Sequence, residues 1–487
     1  MKRRKALQHI GFGVSGGLML PSLITRCTPS DPGPEVVYDG TVAVIGAGAA
    51  GMYAADILRS KGITVKVFEA TDQIGGRIKS LRNQSTAIYP HIPVMSSEFP
   101  IELGAQAFMG TDSILGKVVQ NYRLQTTELP AESTHFVLDN LAKSSTDWAG
   151  DADFQAAMNF RQNLKNQGGS AMTVQQAIQA AGIATRAHGM LNGQIGNAYG
   201  ADNNAIGIGA LGEEETLRVT DGKILMLTGN PLQDLLVSRF VGVKPLVKTN
   251  TPITSINYDG DIIQLTAADG TTYEANKVIV TVPVGILKSG AISFSPGLPG
   301  EITSSLSKFG MGASMRAVIE FKKNFWGESV GFILGSGNVP EFVSSGMNRS
   351  TFNATLSVTV NGAKAEAYSS MGDSVIDTIL AELDVLYSGQ GTQFVRKALD
   401  SSGVETGPIF VREDWTTNEF FKGGYSVPLA GATNDDRKAI GQPVNGKLFF
   451  AGEATDISGN AGMINGALAS AERVAEEVVK SILTPAT

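Results

Sequence analysis

The chain has 487 residues, more than the ~250–300 at which one hydrophobic core usually stops growing, so we expect two domains. A net charge of -7 on an ordinary globular composition argues against a nucleic-acid-binding surface. Four scattered histidines and a single cysteine, Cys27, provide neither a disulfide framework nor the ligand spacing of a metal site.

Residues 1–30 have the pattern of an export signal. The basic residues Lys2, Arg3, Arg4 and Lys5 precede an uncharged stretch from Ile10 to Thr25. This stretch is short for a membrane-spanning helix. The arginine pair resembles a twin-arginine signal, which exports proteins already folded, so we expect an exported, periplasmic protein. Cys27 stands where a lipoprotein signal carries its lipid, although Arg26 precedes it, so a lipid anchor and a plain disordered N-terminus remain alternatives. Residues 31–39 have the composition of a linker.

The strongest local pattern is TVAVIGAGAAGMYAADILRSKGITVKVFEA, starting at residue 41. It predicts a strand, a glycine turn, a helix and a second strand that ends on an acid, Glu69. Gly46 permits the tight turn, Gly48 lets the backbone approach a pyrophosphate, and Gly51 lets the helix pack on the sheet. Free N–H groups at the start of the helix suit phosphates. The unit therefore predicts a dinucleotide site in which Glu69 binds the ribose hydroxyls.

The next stretch, TDQIGGRIKS, favours one dinucleotide over another. FAD and NAD share the glycine pattern, and the acid at Glu69 disfavours a 2′-phosphate. Gly76 and Arg77 place a cation beside a backbone-exposed turn, which suits the diphosphate of a long cofactor. An ordinary surface turn is the alternative at this point.

The middle of the chain changes from predicted helices to predicted strands. Residues 112–239 are predicted to be largely helical, because FQAAMNFRQNLKN and TVQQAIQAAG have helical spacing. Residues 251–283 predict a meander with turns at DG that ends in a buried strand. Near the C-terminus, GNAGMINGALAS leads into a helical run, so a second glycine-rich turn precedes a second helix.

Five blocks in order resemble the flavin-containing amine oxidase family, which includes monoamine, polyamine and L-amino acid oxidases. They are the glycine unit with GGR, then IELGAQAFMG, KVIVTVPVGILK, FKGGYSVP and LFFAGEAT…GMINGALASAERVA, and they cover nearly all of residues 40–480. The resemblance implies an α/β fold with a Rossmann-like FAD domain assembled from residues 40–111, 240–290 and 412–487. Residues 112–239 and 291–411 would form a mixed-sheet and helical substrate domain.

The resemblance also implies that one FAD extends between the two glycine turns. The first turn would hold the adenosine half, and Met463 and Ile464 would bring backbone N–H groups to the flavin, where charge develops on reduction. Gly104 and Ala105 would let the ring approach the backbone. The residues assigned to the cofactor are Gly46, Gly48, Ala50, Gly51, Glu69, Gly76, Arg77, Gly104, Ala105, Ile253, Gly452, Glu453, Met463 and Ile464.

Lys288 and Tyr425 are the catalytic residues that the resemblance implies. Lys288 would hold a water against flavin N5; the alternative is an ordinary surface lysine on a loop. Tyr425 would supply one of the two aromatic rings that flank the flavin in this family, and Met463 stands at the position of the second ring, so the aromatic cage is half built. Gly424 stands where monoamine oxidases attach the flavin through cysteine, so we expect non-covalent FAD. Arg316 matches an often basic position beside a core strand and is assigned a structural role.

The function implied is an FAD-dependent oxidase that converts a primary or secondary amine to an imine and reduces O2 to H2O2. An L-amino acid oxidase or a desaturase of the same fold is one alternative, although no arginine follows Gly104 as it often does in amino acid oxidases. A non-catalytic FAD-binding protein is another. The expected partners are a small amine and O2, without metal or nucleic acid; the sequence does not indicate an oligomeric state.

Overall fold

A computed structural model describes residues 35–81, 100–349 and 354–484. The predicted export signal, Cys27 and the start of the linker at 31–34 lie outside these ranges, so those expectations stay predictions.

The described residues form 25 strands and 14 α-helices, together with short 3₁₀ turns. The strands are β1 Thr41–Ile45, β2 Thr64–Phe68, β3 Ser80–Leu81, β4 Ile101–Glu102, β5 Phe108–Met109, β6 Thr126–Glu128, β7 Thr134–Leu138, β8 Leu141–Ser144, β9 Ile224–Leu227, β10 Val247–Lys248, β11 Ile253–Asn257, β12 Ile263–Ala267, β13 Thr272–Ala275, β14 Lys277–Val280, β15 Ser293–Ser295, β16 Phe309–Met311, β17 Ser314–Glu320, β18 Phe332–Leu334, β19 Glu341–Ser344, β20 Thr355–Asn361, β21 Lys397–Leu399, β22 Glu405–Pro408, β23 Phe410–Asp414, β24 Ser426–Pro428 and β25 Leu448–Phe450. The helices are α1 Ala49–Ser60, α2 Ile114–Asn121, α3 Ala152–Gln162, α4 Val174–Ala180, α5 His188–Leu191, α6 Ile208–Leu217, α7 Leu232–Arg239, α8 Val284–Ser289, α9 Gly300–Ser307, α10 Ala363–Met371, α11 Val375–Leu386, α12 Gln390–Phe394, α13 Asn434–Ile440 and α14 Ile464–Leu483.

A five-stranded parallel sheet carries the dinucleotide-type unit. Its order is β10-β2-β1-β14-β25, and every neighbouring pair is parallel. The strands come from three separate parts of the chain, which confirms an α/β fold assembled from discontinuous segments. Helices α1 and α14 pack against each other and bury their apolar sides in one core with β1 and β2. The two predicted glycine turns therefore belong to one layer.

A seven-stranded mixed sheet forms the second large layer, in the order β23-β17-β20-β19-β18-β7-β8. Only the β18–β7 pair is parallel. The hairpin β7–β8 comes from residues 112–239, which were predicted to be largely helical. Four of the five residues of β7 are buried, and β7 pairs with β18 and β8 as an inner strand of this sheet. Helices α3 and α4 confirm the two helical predictions there. The exact domain boundaries stay predictions.

The predicted meander is an antiparallel sheet of β13, β12 and β11, extended by a parallel pairing with β15. The chain then passes into β14, which belongs to the parallel sheet. Within the ranges 35–81, 100–349 and 354–484, no helix combines the length and apolarity needed to cross a membrane.

Candidate functional site

A central cavity of about 730 Å³ lies between the parallel sheet and the seven-stranded sheet. Its wall includes residues of the first glycine turn, the GGR segment, the meander and the start of helix α14. Pockets of ~300–1,000 Å³ are the usual size for small-molecule and cofactor sites. The two glycine turns thus face one space.

The first turn delivers the start of helix α1 to this cavity. Gly48 is the N-cap residue, and Ala49 and Ala50 follow it as the first helical residues on the cavity wall. The first N–H groups of a helix have no partner inside the helix, so they remain available to an anion. The turn is therefore suited to a phosphate.

Glu69 directly follows strand β2, beside the first turn, and is buried. Its Oε2 accepts a hydrogen bond from the Ala47 N–H at 2.7 Å. Its Oε1 accepts from the N–H and the hydroxyl of Thr71, at 2.9 and 2.8 Å. These bonds fix the orientation of the carboxylate on the cavity wall.

Glu453 ties three segments of the cavity wall together. Its Oε1 accepts from Arg77 Nη1 at 2.9 Å and from the Ser426 N–H at 3.2 Å. Its Oε2 accepts from the Ser426 hydroxyl at 2.6 Å and from the Gly462 N–H at 2.9 Å. Burial acts to raise the pKa of Glu453, but Arg77 and the hydrogen bonds outweigh burial and lower that pKa. Because both oxygens are occupied, Glu453 shapes the wall with its bonds to protein groups.

Helix α14 begins at Ile464, with Met463 as its N-cap residue. The Met463 N–H donates to the Asn460 carbonyl at 3.1 Å, so it is already used inside the turn. Met463 lies on the cavity wall, and its expected contact with the flavin stays a prediction. Ile464, the first helical residue, keeps the position from which an N–H can reach a ligand.

Of the predicted site residues, the structure brings together on the central cavity wall Gly46, Gly48, Ala50, Glu69, Gly76, Arg77, Gly104, Ala105, Ile253, Tyr425, Gly452, Glu453, Met463 and Ile464. Gly51 lies behind the wall, at the contact between the helix and its turn, where the sequence placed it. Gly104 also needs to be small for a reason other than an approaching ring: an added Cβ would lie 2.0 Å from the Arg77 carbonyl oxygen. Their roles toward a cofactor stay predictions.

Lys288 does not lie on this wall. It is an exposed residue near the end of helix α8, and its Nζ donates to the Phe309 carbonyl at 2.5 Å. Ile286, two residues earlier, is buried and lines the cavity. Two residues of a helix are ~200° apart, so Lys288 points away from the side that Ile286 presents. This placement corrects the expectation that Lys288 faces the flavin.

Arg316 is the basic residue that lines the cavity from the seven-stranded sheet, and its structural assignment missed this position. It lies in β17 with 6% of its surface exposed. Its Nη2 donates to the Thr359 hydroxyl at 2.8 Å, and its buried Nη1 has no hydrogen-bond partner in the described structure. The sequence did contain a signal for this position, because Arg316 lies within an apolar strand and arginine is rarely buried without a partner or a function.

A side cavity of about 670 Å³ adjoins the central one. The two share the wall residues Met109, Ala198, Ile224, Phe332, Glu341, Tyr425, Gly462 and Met463. Tyr425 thus stands where the cavities meet, on walls to which Met463 also belongs, and the half cage stays a prediction. Burial raises the pKa of the Tyr425 phenol, so the ring stays neutral at physiological pH.

Fold and site together define a dinucleotide-binding protein of the α/β class. The features that define it are the parallel sheet, the glycine turn before α1, the fixed carboxylate after β2 and the cavity that extends to the start of α14. The chain belongs to the family of flavin-containing amine oxidoreductases, whose profile matches residues 49–203 and 210–479. Membership implies a flavin cofactor and oxidoreductase chemistry on amines.

Individual relatives agree with this family. Polyamine oxidase 4 of Oryza sativa subsp. japonica is 25% identical over 96% of this chain and 93% of its own length. Lysine-specific histone demethylase 2 of Homo sapiens is 24% identical over 87% of this chain, which spans only 51% of that protein. The structure of cyclohexylamine oxidase from Brevibacterium oxydans IH-35A covers 92% of this chain with a TM-score of 0.74 and 18% identity, and shows the shared fold.

Proposed function

We propose that this protein is an FAD-dependent oxidase of C–N bonds that converts a primary or secondary amine to an imine while O2 is reduced to H2O2. The observation that carries the proposal is the single cavity reached by the starts of both α1 and α14, with Tyr425 where it meets a second cavity. FAD bound here would supply the redox chemistry: a hydride from the amine carbon would carry both electrons to it, and these two electrons with two protons would reduce O2 to H2O2.

The residues present fit this cofactor. Glu69 holds a fixed carboxylate on the wall that would accept from ribose hydroxyls, and Ala49 and Ala50 would offer helix N–H groups to a diphosphate. Arg77 adds a cation to the same wall, and Ile464, the first residue of α14, would lie at the flavin end of the cofactor. The protein's part in the reaction is to orient the amine against this surface and to keep water out.

Non-covalent attachment of the FAD is part of the proposal. An added Cβ at Gly424 would lie 2.6 Å from the Ser314 Cβ, so this position has no room for a cysteine side chain. The chain's one cysteine, Cys27, lies outside the described residues. We expect acid or heat denaturation to release free FAD; yellow colour that stays with the precipitated polypeptide would contradict this.

The experiment that tests the proposed function is peroxide release by the purified full chain against a panel of amines, polyamines and amino acids. The proposal expects FAD close to one per chain and peroxide with at least one amine. A chain that binds FAD but releases no peroxide with any of these substrates would support the non-catalytic alternative. Release only with amino acids would support the amino acid oxidase alternative.

We also propose that residues 1–30 export the folded protein, on the basis of Arg3 and Arg4 ahead of an uncharged stretch. Replacing both arginines with lysine should retain the protein in the cytoplasm, as measured by fractionation and immunoblotting. Equal export of both forms would contradict the twin-arginine interpretation.

A further inference from the structure

A third cavity, of about 30 Å³, lies between helices α1, α2, α7 and α14, and neither the sequence analysis nor the proposed function gives it a role. We call it the helix cavity, because each of these four helices contributes side chains to its wall. A space of ~10–15 Å³ is enough for one molecule of the size of water, so the helix cavity has room for a small guest. Voids of this size are few in a well-packed interior, because the side chains around them lose packing contacts.

The wall of the helix cavity is almost entirely hydrocarbon. Of the twelve described residues that form it, ten are apolar, and the exceptions are Tyr53 and Arg239. Both polar side chains are engaged by the protein: the Tyr53 hydroxyl donates to Glu472 Oε1 at 2.7 Å, and Arg239 Nη1 donates to Asp56 Oδ2 at 3.0 Å. A buried water molecule needs several polar partners, whereas an apolar cavity stays dry and binds apolar guests such as xenon. The helix cavity therefore suits a small apolar molecule.

The inner end of the helix cavity adjoins the central cavity. Ile78 and Ile464 belong to the walls of both. Ile464 is the first residue of α14, where the proposed cofactor would have its flavin end. The helix cavity is therefore separated from the flavin end of the central cavity by side chains that the two walls share.

The outer end of the helix cavity lies near the surface of the protein. Tyr53 of α1, Val118 of α2 and Arg239 of α7 are half-buried. The Arg239 guanidinium lies 5.9 Å from the centre of the Tyr53 ring and 5.1 Å from that of Phe240, so these side chains pack together at this end. The helix cavity shares no wall residue with the side cavity. It thus approaches the central cavity from a different direction than the side cavity does.

We propose that the helix cavity binds dioxygen on its way to the flavin. O2 is small, uncharged and apolar, so it enters a dry hydrocarbon space without leaving a polar group unpaired, whereas an amine or an ammonium ion would lose its hydrogen bonds there. The amine and O2 then reach the central cavity by separate routes. This rests on the proposed function, because it presupposes a flavin at the Ile464 end of the central cavity and O2 as the electron acceptor.

The kinetic test narrows the helix cavity and follows reoxidation of the flavin by itself. Leu235 is buried in α7 and belongs to the wall, so Leu235→Phe places additional atoms in the void. The FAD-loaded full chain is reduced without amine, by titration with dithionite to the end point, and is then mixed with buffers of known O2 concentration. We expect the second-order rate constant of reoxidation to fall roughly tenfold, because O2 would have to displace a tightly packed ring.

Leu217→Phe is the matched control for this substitution. Leu217 is exposed and belongs to none of the three cavity walls, so its reoxidation rate constant should stay within about twofold of the native value. With an amine that reduces the flavin, the anaerobic rate of that reduction should also stay within about twofold in both variants. This second rate shows whether the substitution has disturbed the flavin itself.

Occupancy of the helix cavity is measured directly with xenon, an apolar atom that binds in such spaces. Crystals of the native full chain under xenon pressure should show xenon between α2, α7 and α14, and crystals of Leu235→Phe should not. If Leu235→Phe does not retain FAD, Val118→Phe narrows the cavity from α2 and is examined in the same way.

Equal reoxidation rate constants in the native protein and in the narrowed variant would overturn the proposal. A native protein that binds no xenon between these helices would also overturn it. So would an equal slowing of flavin reduction by the amine, because the substitution would then act on the flavin site and not on the access of O2. Reduction with dithionite needs no amine, so failure of every amine to reduce the flavin would contradict the proposed function alone.

Discussion

The two glycine turns that face the central cavity share one feature: the third residue of the helix that follows each turn is a glycine packed against the backbone of that turn. Gly51 is the third residue of α1, and an added Cβ there would lie 2.0 Å from the Gly46 carbonyl oxygen. Gly466 is the third residue of α14, and its added Cβ would lie 2.2 Å from the Asn460 carbonyl oxygen. In both cases the helix packs directly on the backbone of its own turn, which leaves no space for a side chain.

The turns differ in what holds them. In the first, Glu69, 22 residues away, accepts from the Ala47 N–H. The last turn is braced at three points: Arg218 donates to the Gly459 carbonyl at 2.7 Å, Asp456 accepts from the Asn460 N–H at 2.7 Å, and Glu453 accepts from the Gly462 N–H. Arg218 comes from a distant part of the chain, and the first turn also has a distant contact, because the Thr281 hydroxyl donates to the Ile45 carbonyl at 2.8 Å. Both turns therefore depend on tertiary contacts, and the last turn has the larger number of side-chain braces.

Removing the Glu453 brace should produce the largest effect. Glu453→Ala leaves Arg77 without its buried partner and frees the Gly462 N–H, so we expect the free energy of unfolding to fall by about 3–5 kcal/mol. FAD retention should fall with it. Urea unfolding and the FAD content after gel filtration measure both, and a loss below 1 kcal/mol with full FAD content would show that the last turn does not need the brace.

Adding a methyl group at each turn tests the shared feature. Gly51→Ala and Gly466→Ala should each lower the free energy of unfolding by about 1–3 kcal/mol, because the new Cβ forces the helix away from its turn. Gly150→Ala is the matched control: no atom lies within 4 Å of its added Cβ, and its effect should stay within about 0.5 kcal/mol. Three equal effects would contradict the close packing.

The pH dependence of stability sharpens the difference between the turns. The folded pKa of Glu453 is lowered, so its stabilisation is fully present above the ordinary carboxyl pKa of 4.5 and is lost as the pH falls through the folded value. The difference in urea midpoint between the native chain and Glu453→Gln should therefore be constant near neutrality and shrink in acid. A difference that grows on acidification would contradict this sign.

Lys288 should give the smallest effect. Lys288→Met removes an exposed side chain that is bonded to the Phe309 carbonyl and lies off the cavity wall. We expect FAD content, stability and the rate of amine oxidation to stay within twofold, as measured by peroxide release and thermal unfolding. A tenfold or greater loss of the oxidation rate would contradict this placement and show that Lys288 takes part in the reaction.

These cases show which features can be predicted from sequence. The first turn could be identified because its glycines, strands and acid lie within one short segment with fixed spacing. Lys288 was misplaced because the residues after β14 continue as a helix, which rotates it away from the wall. Arg316 and Glu341 acquire their positions only when β17, β19 and β20 pair, and no local pattern around them indicates that pairing.

The most direct test of the central claim is a single reaction without oxygen. The purified protein is mixed anaerobically with a primary amine, and the visible absorbance of the flavin is followed while the aldehyde from imine hydrolysis is quantified. We predict loss of the oxidised-flavin absorbance together with one equivalent of aldehyde per FAD, and recovery of the absorbance on admitting air. Absorbance that no amine changes, in protein that dithionite reduces normally, would contradict amine oxidation at this site.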